Sequence, residues 1–255
     1  MTALGSSSNL ENYETSIAGR MLTLGIDATE VFLARLKGRP IGDNGHYKRA
    51  LLFFLCKALK TSRAIASLQQ SGFPEDAQIL ARTVYELRLQ ALYLADDPKI
   101  RVPQFRVHEQ KSQMKGLRRF LASGNVQGHP KKVNVRGLRE GDWWGPGGLR
   151  QIAKHLGMES DYDITYWLFS GYVHSSSRVL SRYWKQSKEG AELSHKPTKG
   201  DDLHVASKVT QWLLEILDCS ADAVDLDYAN ELKAAATALV DLRRAKMIEG
   251  SNQLR

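Results

Sequence analysis

The sequence is poor in several features that mark well-known classes of protein. Its 255 residues include two cysteines, Cys56 and Cys219, too few for a disulfide framework or a zinc cluster. No apolar run approaches the roughly 18 residues of a membrane-spanning helix. The opening residues, MTALGSSSNLENYETS, lack the basic and apolar regions of a secretory signal. We therefore expect a cytoplasmic protein with no membrane contact, no metal and no cofactor.

Motifs for common chemistries are also absent. There is no GxGxxG after a strand, no Walker lysine loop and no nucleophile elbow. The glycine cluster GPGG at 145–148 precedes a helical pattern and is more simply a cap and turn than an anion site. These absences leave the function to be argued from charge and from individual side chains.

Helical periodicity fills most of the chain. Alternating β-branched runs are missing, and Gly and Pro lie between apolar-periodic segments, which is typical of helices joined by turns. We predict an all-α multi-helix bundle in a single domain, residues 1–255, with a family-like core at 45–185 and a closing helical hairpin at 200–248. The predicted helices are 9–36, 46–70, 74–95, 99–122, 149–156, 161–184, 202–219 and 221–246, with a long Gly/Trp-containing loop at 123–148.

The chain is basic. Its net charge is +8, and its cations cluster in RVPQFRVHEQKSQMKGLRRF (101–120) and HPKKVNVRGLR (129–139). Such clusters favour nucleic acid or another phosphate-bearing ligand. Interleaved aromatic side chains, which mark a platform for single strands, are few there. The bland alternative is a solvated basic face.

The helix predicted at 74–95 has two faces of interest. Leu80, Val84, Leu87, Ala91 and Leu94 form one apolar seam at helical spacing. Arg82, Glu86, Leu89 and Tyr93 form a second stripe on the other side, so both faces are expected to pack. The four-residue spacing of Arg82 and Glu86 lets them form an ion pair.

The stretch YWLFSGYVHSSSRVL (166–180) places a histidine among small residues in an apolar helix. We predict that His174 meets Glu86 across the gap beside Ser170, with Arg82 and Tyr85 nearby. A carboxylate beside an imidazole makes a general base, and the arginine can hold a phosphate. The alternative is a non-catalytic binding or scaffold module, in which the same residues form a buried structural polar network.

These residues resemble a known family. R-T-V-Y-E at 82–86, Trp144, the short helix GLRQIAKHLG and S-G-Y-V-H at 170–174 are similar to motifs of an uncharacterised bacterial helical family, domain-of-unknown-function family 5677, over about 45–185. The resemblance implies an α-helical intracellular protein and no established reaction. The signature positions that it implies are Arg82, Glu86, Ser170 and His174.

A weaker resemblance points to HEPN-type helical ribonucleases of toxin and phage-defence systems, which use R-x4-6-H. Arg150–His155 and Arg101–His108 fit that pattern, but chance alone predicts about as many matches. The first pair is the better candidate because it lies on a helix beside the Trp-containing loop. The residues that we expect to bind a ligand are Tyr85, Ser170, Arg150, His155 and Trp144. The resemblance implies a ribonuclease-like enzyme, and the amphipathic segment 231–246 is compatible with a homodimer or simply with closing the bundle.

Overall fold

A computed structural model describes residues 13, 15–39, 45–122, 143, 148–174, 177, 183–187, 190–193, 197 and 202–252. Within them the chain forms eight helices and one antiparallel hairpin, which confirms the all-α multi-helix bundle. The helices are α1 (Ile17–Leu36), α2 (Gly45–Gln70), α3 (Pro74–Asp96), α4 (Pro98–Ala122), α5 (Leu149–His155), α6 (Glu159–Val173), α7 (Leu203–Ala223) and α8 (Ala229–Asn252). The hairpin strands are β1 (Trp184–Ser187) and β2 (Gly190–Leu193), with Trp184 opposite Leu193.

Helix starts follow local side-chain chemistry. Ser16 caps α1 by accepting a hydrogen bond from the Gly19 N–H at 3.0 Å. Asp202 caps α7 in the same way through the Val205 N–H, also at 3.0 Å. Pro74 occupies the start of α3, where its missing N–H is not needed. The predicted helix starts at 74 and 202 therefore hold to within one residue, whereas α1 begins at Ile17 and not at residue 9.

Helix α3 is central. It packs against α2, α6 and α7, and the predicted seam is buried at Val84, Leu87, Ala91 and Leu94. Leu89 on the second stripe is also fully buried, so α3 packs on both sides as expected. One hydrophobic cluster draws on every helix of the described part except α4, whose apolar side chains pack against it.

Helices α1 and α7 approach each other closely at one glycine. A Cβ on Gly25 would lie 3.1 Å from Cγ2 of Thr210, closer than nearly all real contacts. The Thr210 hydroxyl donates to the backbone carbonyl of Met21 at 2.7 Å. The missing side chain at Gly25 thus leaves room for the Thr210 side chain to bind the α1 backbone.

The helix expected at 161–184 is shorter than predicted. It runs from Glu159 to Val173, and Trp184 belongs to strand β1. His174 is the C-cap of this helix and lies in a turn. The apolar pattern alone did not reveal that stop. None of the helices that the structure describes is long and apolar enough to cross a membrane.

Candidate functional site: a charged network across three helices

Arg82 and Glu86 form the ion pair that their spacing predicts. Nε of Arg82 donates to Oε1 of Glu86 at 2.8 Å, and both side chains are partly buried. The guanidinium also donates to the Tyr166 hydroxyl and lies over the Tyr166 ring, 4.3 Å from its centroid. Nε and Nη2 of Arg82 are therefore bound by residues of α3 and α6, and the side chain does not extend freely into solvent.

The most deeply buried charge is Arg88, which the sequence interpretation did not single out. Its side chain is 7% exposed. It donates to Oδ2 of Asp161 on α6 at 3.0 Å and to Glu215 on α7. The same Asp161 oxygen accepts a hydrogen bond from the Tyr85 hydroxyl at 3.2 Å. One guanidinium thus joins α3, α6 and α7.

The electrostatics of this cluster follow from its burial. Burial by itself lowers the pKa of Arg88, but the carboxylates of Glu215 and Asp161 raise it above its ordinary value. Burial, followed by the charge of Asp161, raises the pKa of Tyr85 far above the ordinary range of a tyrosine. Arg88 is therefore a permanent cation and Tyr85 a neutral hydrogen-bond donor at any physiological pH.

The network continues to the last helix. Glu215 accepts a hydrogen bond from the Gln211 amide at 2.9 Å. The Gln211 carbonyl oxygen in turn accepts from Nη2 of Arg243 on α8 at 3.1 Å, and Nε of Arg243 donates to the Ser207 hydroxyl at 2.7 Å. A continuous chain of hydrogen bonds therefore runs from α6 through α3 and α7 to α8.

The structure does not bring His174 to Glu86. His174 follows the end of α6, its side chain is exposed, and its backbone N–H donates to the Ser170 carbonyl at 3.1 Å. Within the described residues its imidazole forms no hydrogen bond or ion pair, and the buried Ser170 hydroxyl has no partner either. The expected burial of His174 is wrong because the helix ends one residue before it.

Arg150 and His155, the second predicted pair, each bind a different acidic residue. The guanidinium of Arg150 binds both carboxylate oxygens of Asp163, at 3.1 and 3.0 Å. Nε2 of His155 lies 2.8 Å from Oδ2 of Asp96, and its ring stands edge-on to Tyr93. Both pairs are exposed, and neither residue contacts the other.

The predicted long loop contains two adjacent tryptophans, Trp143 and Trp144. Trp144, proposed as a ligand contact, lies outside the described residues. Trp143 is fully buried and meets the rings of Tyr93 and Phe105 edge-on, with centroids 5.3 and 5.0 Å away. At least one residue of this segment therefore belongs to the core, which its irregular sequence did not indicate.

No grouping of three or more His, Cys, Asp or Glu side chains in the described part of the chain has the geometry of a metal site. Cys56 and Cys219 are both free thiols. Burial and the nearby carboxylates of Asp218 and Asp222 raise the pKa of Cys219 to about 12. Its thiol is therefore a poor nucleophile and a poor metal ligand.

Comparison with known proteins gives one match. The model of a family of unknown function, DUF5677, matches residues 48–192, more than half of the 255 residues. The chain belongs to this family. The DUF5677 region contains Arg82, Glu86, Arg88 and Asp161, whereas Glu215 lies beyond it. No curated protein and no solved structure matches the chain.

Proposed function

We propose that this DUF5677 protein is a non-catalytic helical binding module, and that its central charged residues hold the helices together instead of acting on a substrate. Its net charge of +8 favours a phosphate-bearing ligand. In this proposal the Arg82–Glu86 pair and the Arg88–Asp161–Glu215 cluster (the central network) are structural.

The observation that carries the proposal is that the guanidinium groups of Arg82 and Arg88 are already bound by side chains of the protein itself. Arg82 is bound by Glu86 and Tyr166, and Arg88 by Asp161 and Glu215. An arginine that holds a phosphate needs its N–H fork free to face the ligand. A ligand would have to displace internal carboxylates first, which makes a phosphate clamp at this place unfavourable.

The second candidate is the ribonuclease-like enzyme of a toxin or phage-defence system, as in the HEPN-like interpretation. The exposed imidazole of His174 supports it, because a general acid or base must reach its substrate. Against it, neither Glu86 nor Arg82 forms a hydrogen bond or ion pair with His174. A homodimer through α8 is a prediction that no contact in the described residues tests.

The deciding experiment is cleavage of a labelled RNA pool by purified protein, with thermal melts of the same samples. We compare wild type with His174→Ala, and use His204→Ala as a control that removes another exposed imidazole. The proposal expects no cleavage by any of them and equal melting temperatures. Cleavage by wild type and by the control, lost in His174→Ala without a change in melting, would establish the enzyme and overturn the proposal.

A further inference from the structure

Helix α4 carries most of the net positive charge of the protein. Its 25 residues hold seven Lys and Arg against one acid, Glu109. That excess of six accounts for three quarters of the net charge of +8. The excess is therefore local to one helix and is not spread over the whole surface.

The first half of α4 is anchored to the bundle. Val107 is buried, and the Phe105 ring packs edge-on against Phe54 of α2 at 5.4 Å and against Trp143 at 5.0 Å. The guanidinium of Arg101 lies over the Tyr93 ring of α3, 4.0 Å from its centroid. These contacts fix the direction in which the rest of the helix runs.

The second half of α4 faces solvent. From Glu109 onward, every side chain that the structure describes is exposed or partly exposed. Fourteen residues, 109–122, make a rod of roughly 20 Å at a rise of about 1.5 Å per residue. Lys111, Lys115 and Arg119 recur every four residues and so share one face of this rod.

Four exposed cations of α4 lack an acidic partner in the described part of the chain: Lys99, Arg106, Lys115 and Arg119. This contrasts with Arg82 and Arg88, whose donors are bound internally. Unpaired cations on a helix can neutralise phosphates of a nucleic acid and release the counterions condensed on its backbone. Such a set of exposed cations without acidic partners favours binding of a polyanion.

The shape of the surface favours double-stranded DNA among polyanions. A single α-helix of about 10–12 Å diameter fits the B-DNA major groove, which is about 12 Å wide. The major groove of A-form RNA is deep and narrow and does not admit such side chains.

We infer that the outer half of α4 is a DNA-binding surface, with Lys115 and Arg119 contacting backbone phosphates of a duplex. The inference rests on the proposed function, because it names the partner of a binding module.

The experiment measures binding of the full chain to a fluorescent duplex of roughly 30 base pairs, about three helical turns. Salt is varied from about 50 to 200 mM. Lys115→Gln/Arg119→Gln removes two phosphate contacts and keeps helix propensity, since Gln is a good helix former. Each contact contributes about 0.9 to the slope of log K against log salt, so the slope falls by about 1.8 and affinity at 0.1 M salt falls roughly 60-fold.

The matched control is Lys57→Gln/Lys60→Gln, which removes the same charge from exposed positions of α2. The inference expects this control to bind almost as wild type does. It is overturned if wild type does not bind the duplex at low salt, if the control weakens binding as much as the α4 variant, or if single-stranded RNA or anionic vesicles bind more tightly than the duplex. Nucleic-acid cleavage would contradict the proposed function, whereas unaltered binding by the α4 variant would contradict only this inference.

Discussion

Arg88 and Arg119 are the same side chain in opposite situations. Arg88 is 7% exposed and is bound by two carboxylates from two other helices. Arg119 is exposed and has no acidic partner among the described residues. An enclosed cation must be neutralised by the protein itself, because desolvation costs several kcal/mol. A solvated cation carries no such constraint and remains available for a ligand.

The comparison places structure and recognition in different parts of the molecule. The central network links α3, α6 and α7, so its charges act on the packing of the bundle. The described side chains of the outer half of α4 are exposed or partly exposed, so its described charges act on what approaches from solvent. Substitutions in the two regions should therefore change different measured quantities.

The largest effect on stability is expected from Arg88→Met. This change removes the cation that Asp161 and Glu215 share, and both carboxylates are partly buried. Of its ion pairs in the described part of the chain, Asp161 keeps only the longer one with Lys208, at 4.0 Å. Removing one member of such a buried set costs about 3–5 kcal/mol of unfolding free energy. Chemical denaturation measures the loss. Arg88→Lys is the control, and should recover part of it because the charge returns without the planar guanidinium that donates to both carboxylates. A loss near zero for Arg88→Met would break the distinction between the two regions.

A smaller effect is expected from Glu86→Gln. The Arg82–Glu86 pair is only partly buried, with side chains 19% and 29% exposed, and Arg82 keeps its contact with Tyr166. We expect a loss of about 1 kcal/mol in unfolding free energy, between the values for exposed pairs and for charged hydrogen bonds. The exposed Arg150 is the reference: Arg150→Gln should leave stability unchanged within error. Equal losses of unfolding free energy for both variants would show that burial does not determine how much these ion pairs stabilise the protein.

The smallest effect is expected from Asp218→Asn, and it should depend on pH. Burial, followed by the charges of Asp222 and Glu215, raises the pKa of Asp218 above its ordinary value. A raised pKa in the folded state means that the ionised form disfavours folding, and stability falls as pH rises through that pKa. The variant should therefore melt slightly higher than wild type at pH 7, and the difference should vanish below about pH 3.9, the ordinary aspartate pKa. A higher melting temperature that persists in acid would contradict this assignment.

The fold was predictable from the sequence because it depends on local periodicity. The seam of α3 and the helix starts at Pro74 and Asp202 follow from spacing and capping within a few residues. The Arg82–Glu86 pair was predictable for the same reason, since both partners lie on one helix.

The rest of the site was not predictable because its partners are far apart in sequence. Arg88 pairs with Asp161 and Glu215, 73 and 127 residues away, and no rule of helical spacing connects them. A local signal did exist: a charge between Leu87 and Leu89 on a helix packed on both sides requires a buried counterion. The prediction for His174 was wrong for a different reason. Its apolar neighbours in the sequence suggested burial, but α6 ends at Val173, one residue before it.

The close approach of α1 and α7 at Gly25 has a consequence for how the protein is made. The hydrogen bond from Thr210 to Met21 joins residues 189 apart in the chain. At roughly 5–20 residues per second, translation takes about 10–40 seconds to reach α7 after α1 has been synthesised. The apolar face of α1 must wait that long for its partner, whereas α2 and α3 are neighbours in sequence and can pair at once. We therefore expect the face of α1 that packs on α7 to stay uncovered until the last third of the chain has been synthesised.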